Sequence, residues 1–472
     1  MNFSLFFVHF TWVSVVSAIL FPTLASAATP PKPQNTSSLV QVPNNLNLNP
    51  NPNPLQLPTK PEEVKVQGIV PISLAQALEL AKRNNRDLQV AILELERSRS
   101  ELRESQAALF PTLGINSSLT NSGNGLTSNS SQASTSFSGS ADLNYNLYTS
   151  GNRKANIQAA EEQLRIDELD VENTSLEIEL NVRTEYYDLL QADEQVRINR
   201  SAVENAQASL RDTQAREQAG VGTRFDVLQA QVNLANAQQQ LVDSLSQQQI
   251  ARRRLATRLS LAQSVNIAAA DPVQLAGLWQ PTLEETIVRA FQNRPELQQQ
   301  LAQRNISEQR RRQALSQLGP QISSTGNYNL LDRYDDGVSI TDGYSLGLAG
   351  NLRLFDGGAA RASAAQSRAN IAIAESQFGS QRDLIRFDVE QYYSQLQSNL
   401  NNVQTSSVAL NQAREALNLA RLRFQAGVGT QTEVIDAEND LTRAEGNRVT
   451  AILDYNRALA NLQRSVTSRP SR

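Results

Sequence analysis

Two stretches of the chain, Asn152 to Ala219 and Ala359 to Ala426, each run for 68 residues without a proline, and only Gly379 interrupts the second. As helices they are about 100 Å long at 1.5 Å per residue, which no compact domain accommodates. The two stretches are copies of each other. In the first, Val182, Leu189, Val196, Val203 and Leu210 recur every seven residues, and a shift of 207 gives Val389, Leu396, Val403, Leu410 and Leu417. The same shift pairs Tyr186 with Tyr393 and Gly220-Val221-Gly222-Thr223 with Gly427-Val428-Gly429-Thr430. Upstream the shift is 209, pairing Leu74 with Leu283, Asn84 with Asn293 and Pro111 with Pro320. The chain is therefore a tandem duplication of roughly 200-residue units. Heptad spacing makes each long helix pack lengthwise on neighbours, as it also does in an ordinary rod-like coiled coil.

The segments that follow Pro111 and Pro320 separate these architectures. From Thr135 to Leu147 the odd positions read Thr, Phe, Gly, Ala, Leu, Tyr, Leu, while the even positions are Ser, Asp and Asn. Leu113, Ile115 and Leu119 start the same alternation before a Gly/Asn/Ser loop at Asn121 to Ala133. In the second unit Ile322, Tyr328 and Leu330 form one strand, and Tyr344, Leu346, Leu348, Leu352 and Leu354 another. Each unit contributes one hairpin (residues 112–148 and 320–355), apolar on one face and polar on the other, of membrane-strand length. Four strands cannot close a membrane barrel, whose smallest form has about eight, so at least two chains must share one.

Composition narrows the chemistry. There is no Cys and a single His, His9, so no cofactor or metal site of thiolate or imidazole type is expected, and no thiol or Ser-His nucleophile. A formal charge of −4 gives no case for nucleic acid. A mean hydropathy of −0.41 excludes a bundle of membrane helices but not a barrel. The one long apolar run, Leu5 to Leu24, precedes Ala25-Ser26-Ala27 and reads as a signal peptide over residues 1–27, although its start lacks Lys and Arg. Ten of the 17 prolines lie between Pro22 and Pro61, so residues 28–67 read as an extended Pro/Asn-rich arm. The repeats then occupy 68–272 and 273–466, with a tail at 467–472. Within them the long helices, 152–219 and 359–426, are followed by return helices over 223–259 and 430–466. A return helix (Thr223 to about Leu259) stacked end to end on Pro295 to Gly319 matches a long helix in length, with Leu74–Asn84 and Leu283–Asn293 as side elements near the joint.

Several motifs in this order resemble the TolC-like outer-membrane efflux proteins. They are Ser73-Leu74-Ala75-Gln76-Ala77-Leu78, Phe110-Pro111, Tyr186-Tyr187-Asp188-Leu189-Leu190, Leu354-Phe355-Asp356-Gly357-Gly358 and both Ala-Gly-Val-Gly-Thr turns. The resemblance runs from Ser73 to about Val466. It implies an α+β homotrimer whose 12 strands form an outer-membrane β-barrel, continuous with a periplasmic α-helical barrel of 12 staves. It also implies contact with outer-membrane lipid and docking to a periplasmic adaptor and an inner-membrane transporter of RND, MFS or ABC type. The strand count alone leaves two, three or four chains open.

Carried over by position, Ala219, Gly220, Val221, Gly222 and Thr223, with Ala426, Gly427, Val428, Gly429 and Thr430, are the periplasmic tips that meet the adaptor. Glycines also reverse a chain cheaply, whatever docks there. Asp226, Glu433 and Asp436 fall where the family places aperture acids, forming a cation-attracting ring, with Phe424 and Arg224 nearby. Thr223-x-x-Asp226 and Thr430-x-x-Glu433 equally read as capping boxes, which leaves Asp436 unexplained by capping. Phe424 stands where some members hold Tyr, and Gly429 where some hold Arg, so the family pattern does not say how this aperture is locked. The basic runs Arg252–Arg254 and Arg310–Arg312 read as solvated helix faces. Two competing functions are a helical cell-envelope scaffold or adhesin without a pore, and a secreted hydrolase with paired carboxylates. The scattered acids disfavour the second, and the chain is expected not to be an enzyme.

Overall fold

A computed structural model describes residues 48, 55, 57–66, 68–123, 133–262, 264–334 and 337–467. Contacts divide the chain into Met1–Asn45, outside the described residues together with the expected signal peptide, and Leu46–Arg472, to which all that follows refers. Most of the expected arm, parts of the two hairpin loops and the tail beyond residue 467 also lie outside.

The first half comprises α1 (Pro61–Val64), β1 (Gly68–Ile72), α2 (Leu74–Asn84), α3 (Arg86–Ala107), β2 (Thr112–Gly123), β3 (Ala133–Tyr148), α4 (Asn152–Gln218), α5 (Arg224–Arg258) and β4 (Val265–Ala269). The second comprises α6 (Leu283–Asn293), α7 (Pro295–Ser316), β5 (Gln321–Arg333), β6 (Thr341–Asn351), α8 (Ala359–Gln425) and α9 (Gln431–Val466). Pro61–Val64 is thus one helical turn, with proline at its first position where no amide is needed, rather than extended arm.

Four of the strands form one antiparallel sheet in the order β2-β3-β5-β6. Register pairs such as Ala141 with Tyr328 and Leu143 with Gly326 keep like faces together. Leu113, Ile115, Leu119, Leu143, Tyr328, Leu346 and Leu348 share one face, and all are exposed. The opposite face is polar: Asp142 accepts from Asn116 (3.0 Å), Ser140 (2.9 Å) and Asn327, and the Ser118 and Ser138 hydroxyls meet at 2.8 Å. Such a sheet, dry outside and hydrogen-bonded inside, suits a membrane wall around water. Phe110, Tyr148 and Phe355 stand exposed at its helical end and Tyr334 and Tyr344 toward the other, as interfacial aromatics do. Leu352 and Leu354 fall beyond β6, contrary to the alternation, because β5 supplies no partner past Gln321–Asn351. No helix among the described residues is long and apolar enough to cross a membrane.

The helices assemble as staves. α4 is flanked by α3 and α5 on one side and by α7 and α9 on the other, and α8 lies against α7 and α9. Stacking occurs within repeats, not between them as the lengths had led us to expect. The Asn85 side chain, at the start of α3, donates to Arg258 O at the end of α5 (3.2 Å), and Asn293 before α7 donates to Val466 O at the end of α9 (2.8 Å). These amides satisfy terminal carbonyls that each helix end leaves open. The heptad stripe supplies the cores: Val182 and Leu189, with off-stripe Ile198, pack with Val70, Ile72, Leu255 and Ile267, and Val389 and Leu396 with Leu297, Tyr455 and Leu462. Only the first repeat carries the parallel β1–β4 pair, which sequence periodicity missed because its strands are five residues each.

Candidate functional site

The helix pairs α4/α5 and α8/α9 end in two tips of the same geometry. Val221 N and Gly222 N both donate to Arg216 O at 3.0 Å, and Val428 N and Gly429 N to Arg423 O at 3.0 and 3.1 Å. Gly220 (φ 77) and Gly427 (φ 76) are left-handed, as this type of helix end requires. A Cβ on Gly222 would lie 3.0 Å from Glu217 N, and one on Gly429 3.0 Å from Arg423 Cβ. The glycines thus serve the turn, and the outward-facing groups are Val221 and Val428, 68% and 70% exposed.

The acids behave differently from one another. Asp226 turns back on its own helix start: its carboxylate accepts from Thr223 N (3.2 Å) and Thr223 Oγ1 (2.7 Å), while Asp226 N donates to Thr223 Oγ1 (3.2 Å). In the second tip only half of the box forms. Glu433 N donates to Thr430 Oγ1 (3.2 Å), but the Glu433 carboxylate lies 3.7 Å from Arg423 Nε instead. Asp436 is exposed, with no hydrogen bond or ion pair among the described residues. Arg224 is exposed beside Glu217 at 3.7 Å.

Groups that the sequence did not single out tie the tips together. Arg216 Nη1 donates to Phe424 O (3.1 Å), and the guanidinium lies 4.6 Å from the Phe424 ring centroid, a cation–π contact. Buried Gln431 donates to Ser209 Oγ (2.7 Å), and Gln229 and Thr432 meet at 3.2 Å. Arg421 Nη2 bridges Asn205 Oδ1 and Glu438 Oε1, both at 3.0 Å. Burial pushes the Glu438 carboxyl above its ordinary range, and Arg421 opposes the shift. A signal for Glu438 exists in the sequence: it is an acid set among Val434, Ile435, Ala437 and Leu441 on a buried stripe. Arg216 is legible only by aligning the two copies, which set it against Arg423. The basic runs also split: Arg252 turns inward to Asp193 at 3.2 Å rather than facing solvent, while Arg311 and Arg312 clasp Glu308 and hold its carboxyl down at about 2.

Known proteins share this architecture. The family model described as outer membrane efflux protein matches residues 77–260 and 286–467. The chain is 24% identical to outer membrane protein OprJ of Pseudomonas aeruginosa over 416 residues, covering 83% of this chain and 84% of the relative. It is 26% identical to the pyoverdine export outer membrane protein OpmQ of the same organism over 413 residues, covering 83% of each. Among solved structures, CusC superposes with a TM-score of 0.75 at 17% identity, covering 88% of this chain and 96% of that one. The chain belongs to the outer membrane efflux protein family.

Proposed function

We propose that three copies close one 12-stranded barrel and that the trimer is the exit duct of a tripartite efflux pump or type I secretion system. Its partners are a periplasmic adaptor and an inner-membrane transporter of RND, MFS or ABC type. The carrying observation is the four-stranded sheet, apolar on one face, with both edges β2 and β6 unpaired and each hairpin running on into a long helix. A sheet of this kind is stable in lipid only if other copies pair its edges. Reconstitution in planar bilayers tests it: discrete channel openings from heat-modifiable trimers are expected. Their absence from well-folded protein favours the pore-free scaffold.

Adaptor contact is assigned to the exposed Val221 and Val428. Val221→Asp with Val428→Asp leaves every tip hydrogen bond in place and is expected to abolish export while trimers persist; substituting the glycines would instead disturb the turn itself. At the aperture, Arg216 on Phe424 and Arg421 between Asn205 and Glu438 supply closing contacts in place of a hydroxyl at position 424 and a guanidinium at position 429. Glu433 and Asp436 share a helix face, and around a threefold axis they form a carboxylate ring. Asp226, engaged by Thr223, is the weakest candidate for it. Glu433→Gln with Asp436→Asn should lower cation selectivity and periplasmic-side block by multivalent cations. Unchanged selectivity and block in folded trimers removes the ring. Beyond position 9 the sequence has no Cys, His or Met, so soft-metal cargo would find no soft ligand along the duct.

A further inference from the structure

Inside each chain the two repeats meet along a seam of β3 against β5 and of α4 against α7 and α9. The duplication gives this seam a counterpart. Shifting β3 and α4 by 207 and β5 and α7 by 209 carries it onto a pair that one chain cannot form, β6 and α8 of one copy against β2 and α3 of another. Where strands pass into helices, the inner seam is closed by Ser150 and Gly319. Ser150, at φ 51, donates to Pro320 O (2.6 Å), and a Cβ on Gly319 would collide with the Ser150 side chain.

The same shifts turn Gly319 into Phe110 and Ser150 into Gly357, so the bulk has changed sides. Phe110 is 69% exposed in the single chain, and around Gly357, at φ 71, nothing lies within 4 Å of where a Cβ would stand. We propose that Phe110 of one copy seats over the Gly357–Gly358 turn of the next, keying the seam between subunits at the junction of barrel and tunnel. This rests on the reading of several copies closing one barrel. A large side chain facing a bare turn is the complement that the inner seam realises with the sizes reversed.

The operation also fixes the register of the new strand pair. Ala141 opposite Tyr328 becomes Leu348 opposite Leu119, Tyr145 opposite Ser324 becomes Leu352 opposite Ile115, and Tyr148 opposite Ile322 becomes Phe355 opposite Leu113. All six projected residues are large, apolar and exposed in one chain. A slip of one residue would set each against the polar face. The pairing also explains the expected but unformed strand beyond Asn351: Leu352 to Phe355 lack a partner until β2 of another copy arrives.

Because the chain has no Cys, paired cysteines report the seam without background. Leu119→Cys with Leu348→Cys in the full chain should give covalent trimers on mild oxidation, whereas Ile115→Cys with Leu348→Cys, out of register, should not. Phe110→Gly should speed dissociation of detergent-solubilised trimers by about tenfold or more, the loss of one well-seated aromatic. Gly357→Ser should do the same by blocking the seat, since Ser150 already shows that this backbone tolerates serine. Combining the two recreates the inner Gly–Ser pair and should recover most of the loss; if Gly357→Ser alone prevents assembly, recovery is read as restored trimer yield. Additive losses, or trimers that fail to cross-link at 119/348, overturn the keying. A chain that stays monomeric in the outer membrane overturns the barrel reading itself.

Discussion

The two stave joints perform one task with different groups at the position that opens the stacked helix. In the first repeat Asn85 is neutral: its Oδ1 caps α3 by accepting from Asp87 N (2.9 Å) and Leu88 N (3.1 Å), and its Nδ2 reaches Arg258 O. The 209-residue shift places Arg294 there in the second repeat. Arg294 caps nothing; its guanidinium, 8% exposed, turns inward to Asp388 (3.2 Å) and Glu296 (3.6 Å), and Arg464 also reaches Glu296 (2.9 Å). The neighbours differ as well. The first joint is roofed by β1 and β4, the second by an irregular segment held through Asn456 to Gln274 O and Tyr455 to Gly277 O. Duplicated helices have kept their spacing, while each joint has adapted to what covers it.

The largest effect should come from unbalancing the charged joint. Arg294→Ala leaves the part-buried Asp388 and Glu296 with one guanidinium between them; removing one partner of a fully buried pair costs about 3–5 kcal/mol, and the partial exposure of both acids puts the expected loss at the lower end of that range, about 3 kcal/mol. Asn85→Ala removes a cap and one interhelical bond, about 1–2 kcal/mol. Chemical denaturation of the solubilised protein, monitored by helix content, should show the first variant well below the second. Equal losses would mean that the two joints are energetically alike despite their chemistry.

The roof supplies the next contrast. Tyr186 is fully buried, its hydroxyl 3.0 Å from Ile72 O and 2.8 Å from Asp271 Oδ2, while Asp271 N donates back to it (3.2 Å). Burial raises its pKa above the ordinary phenol value, with Asp271 contributing. Its copy Tyr393 is only half-buried and lacks the strand pair above it. Tyr186→Phe leaves Asp271 N without its acceptor and Asp271 Oδ2 with Leu74 N alone (2.7 Å), and should cost about 1–2 kcal/mol, against little for Tyr393→Phe. Hydrogen exchange in β1 and β4 locates the effect: faster exchange there is expected only for the first variant.

Much of this fold was legible because its signals are long. Seven-residue spacing repeated along two 68-residue stretches and alternation over four strands leave few alternatives. The β1–β4 pair was not, since five-residue strands far apart in sequence carry too little pattern to call their pairing. The partnering of the staves was hidden for a different reason: both return helices have nearly the same length, so length cannot choose, and the contacts that join the ends, such as the amides of Asn85 and Asn293, are single groups without a sequence pattern. At the tips the Gly-Val-Gly-Thr turns were readable from glycine alone, but the Arg216–Phe424 clamp joins residues 208 apart and depends on how the two tips converge.

The smallest expected effect concerns Asp388 and pH. Burial raises its pKa above the ordinary carboxylate range, against the lowering by Arg294, and burial likewise lowers that of Arg294, so both groups resist charging. A raised folded-state pKa means that the native protein binds more protons than the unfolded chain between the ordinary carboxylate value and the shifted one. Its contribution to stability is therefore full below that window and declines as pH rises through it. The first repeat holds Asn181 at the corresponding position, so Asp388→Asn gives the second joint the uncharged residue that the first has there. The variant keeps an acceptor for Arg294, which retains Glu296 as a charged partner. Hydrogen exchange of α7 and α9 amides, compared from pH 4 to pH 7, should show wild type gaining protection on acidification relative to the variant, and the variant at least as protected at pH 7. If the variant is instead less protected at pH 7, the ion pair to Arg294 outweighs the cost of burial, and charge rather than packing holds this joint together.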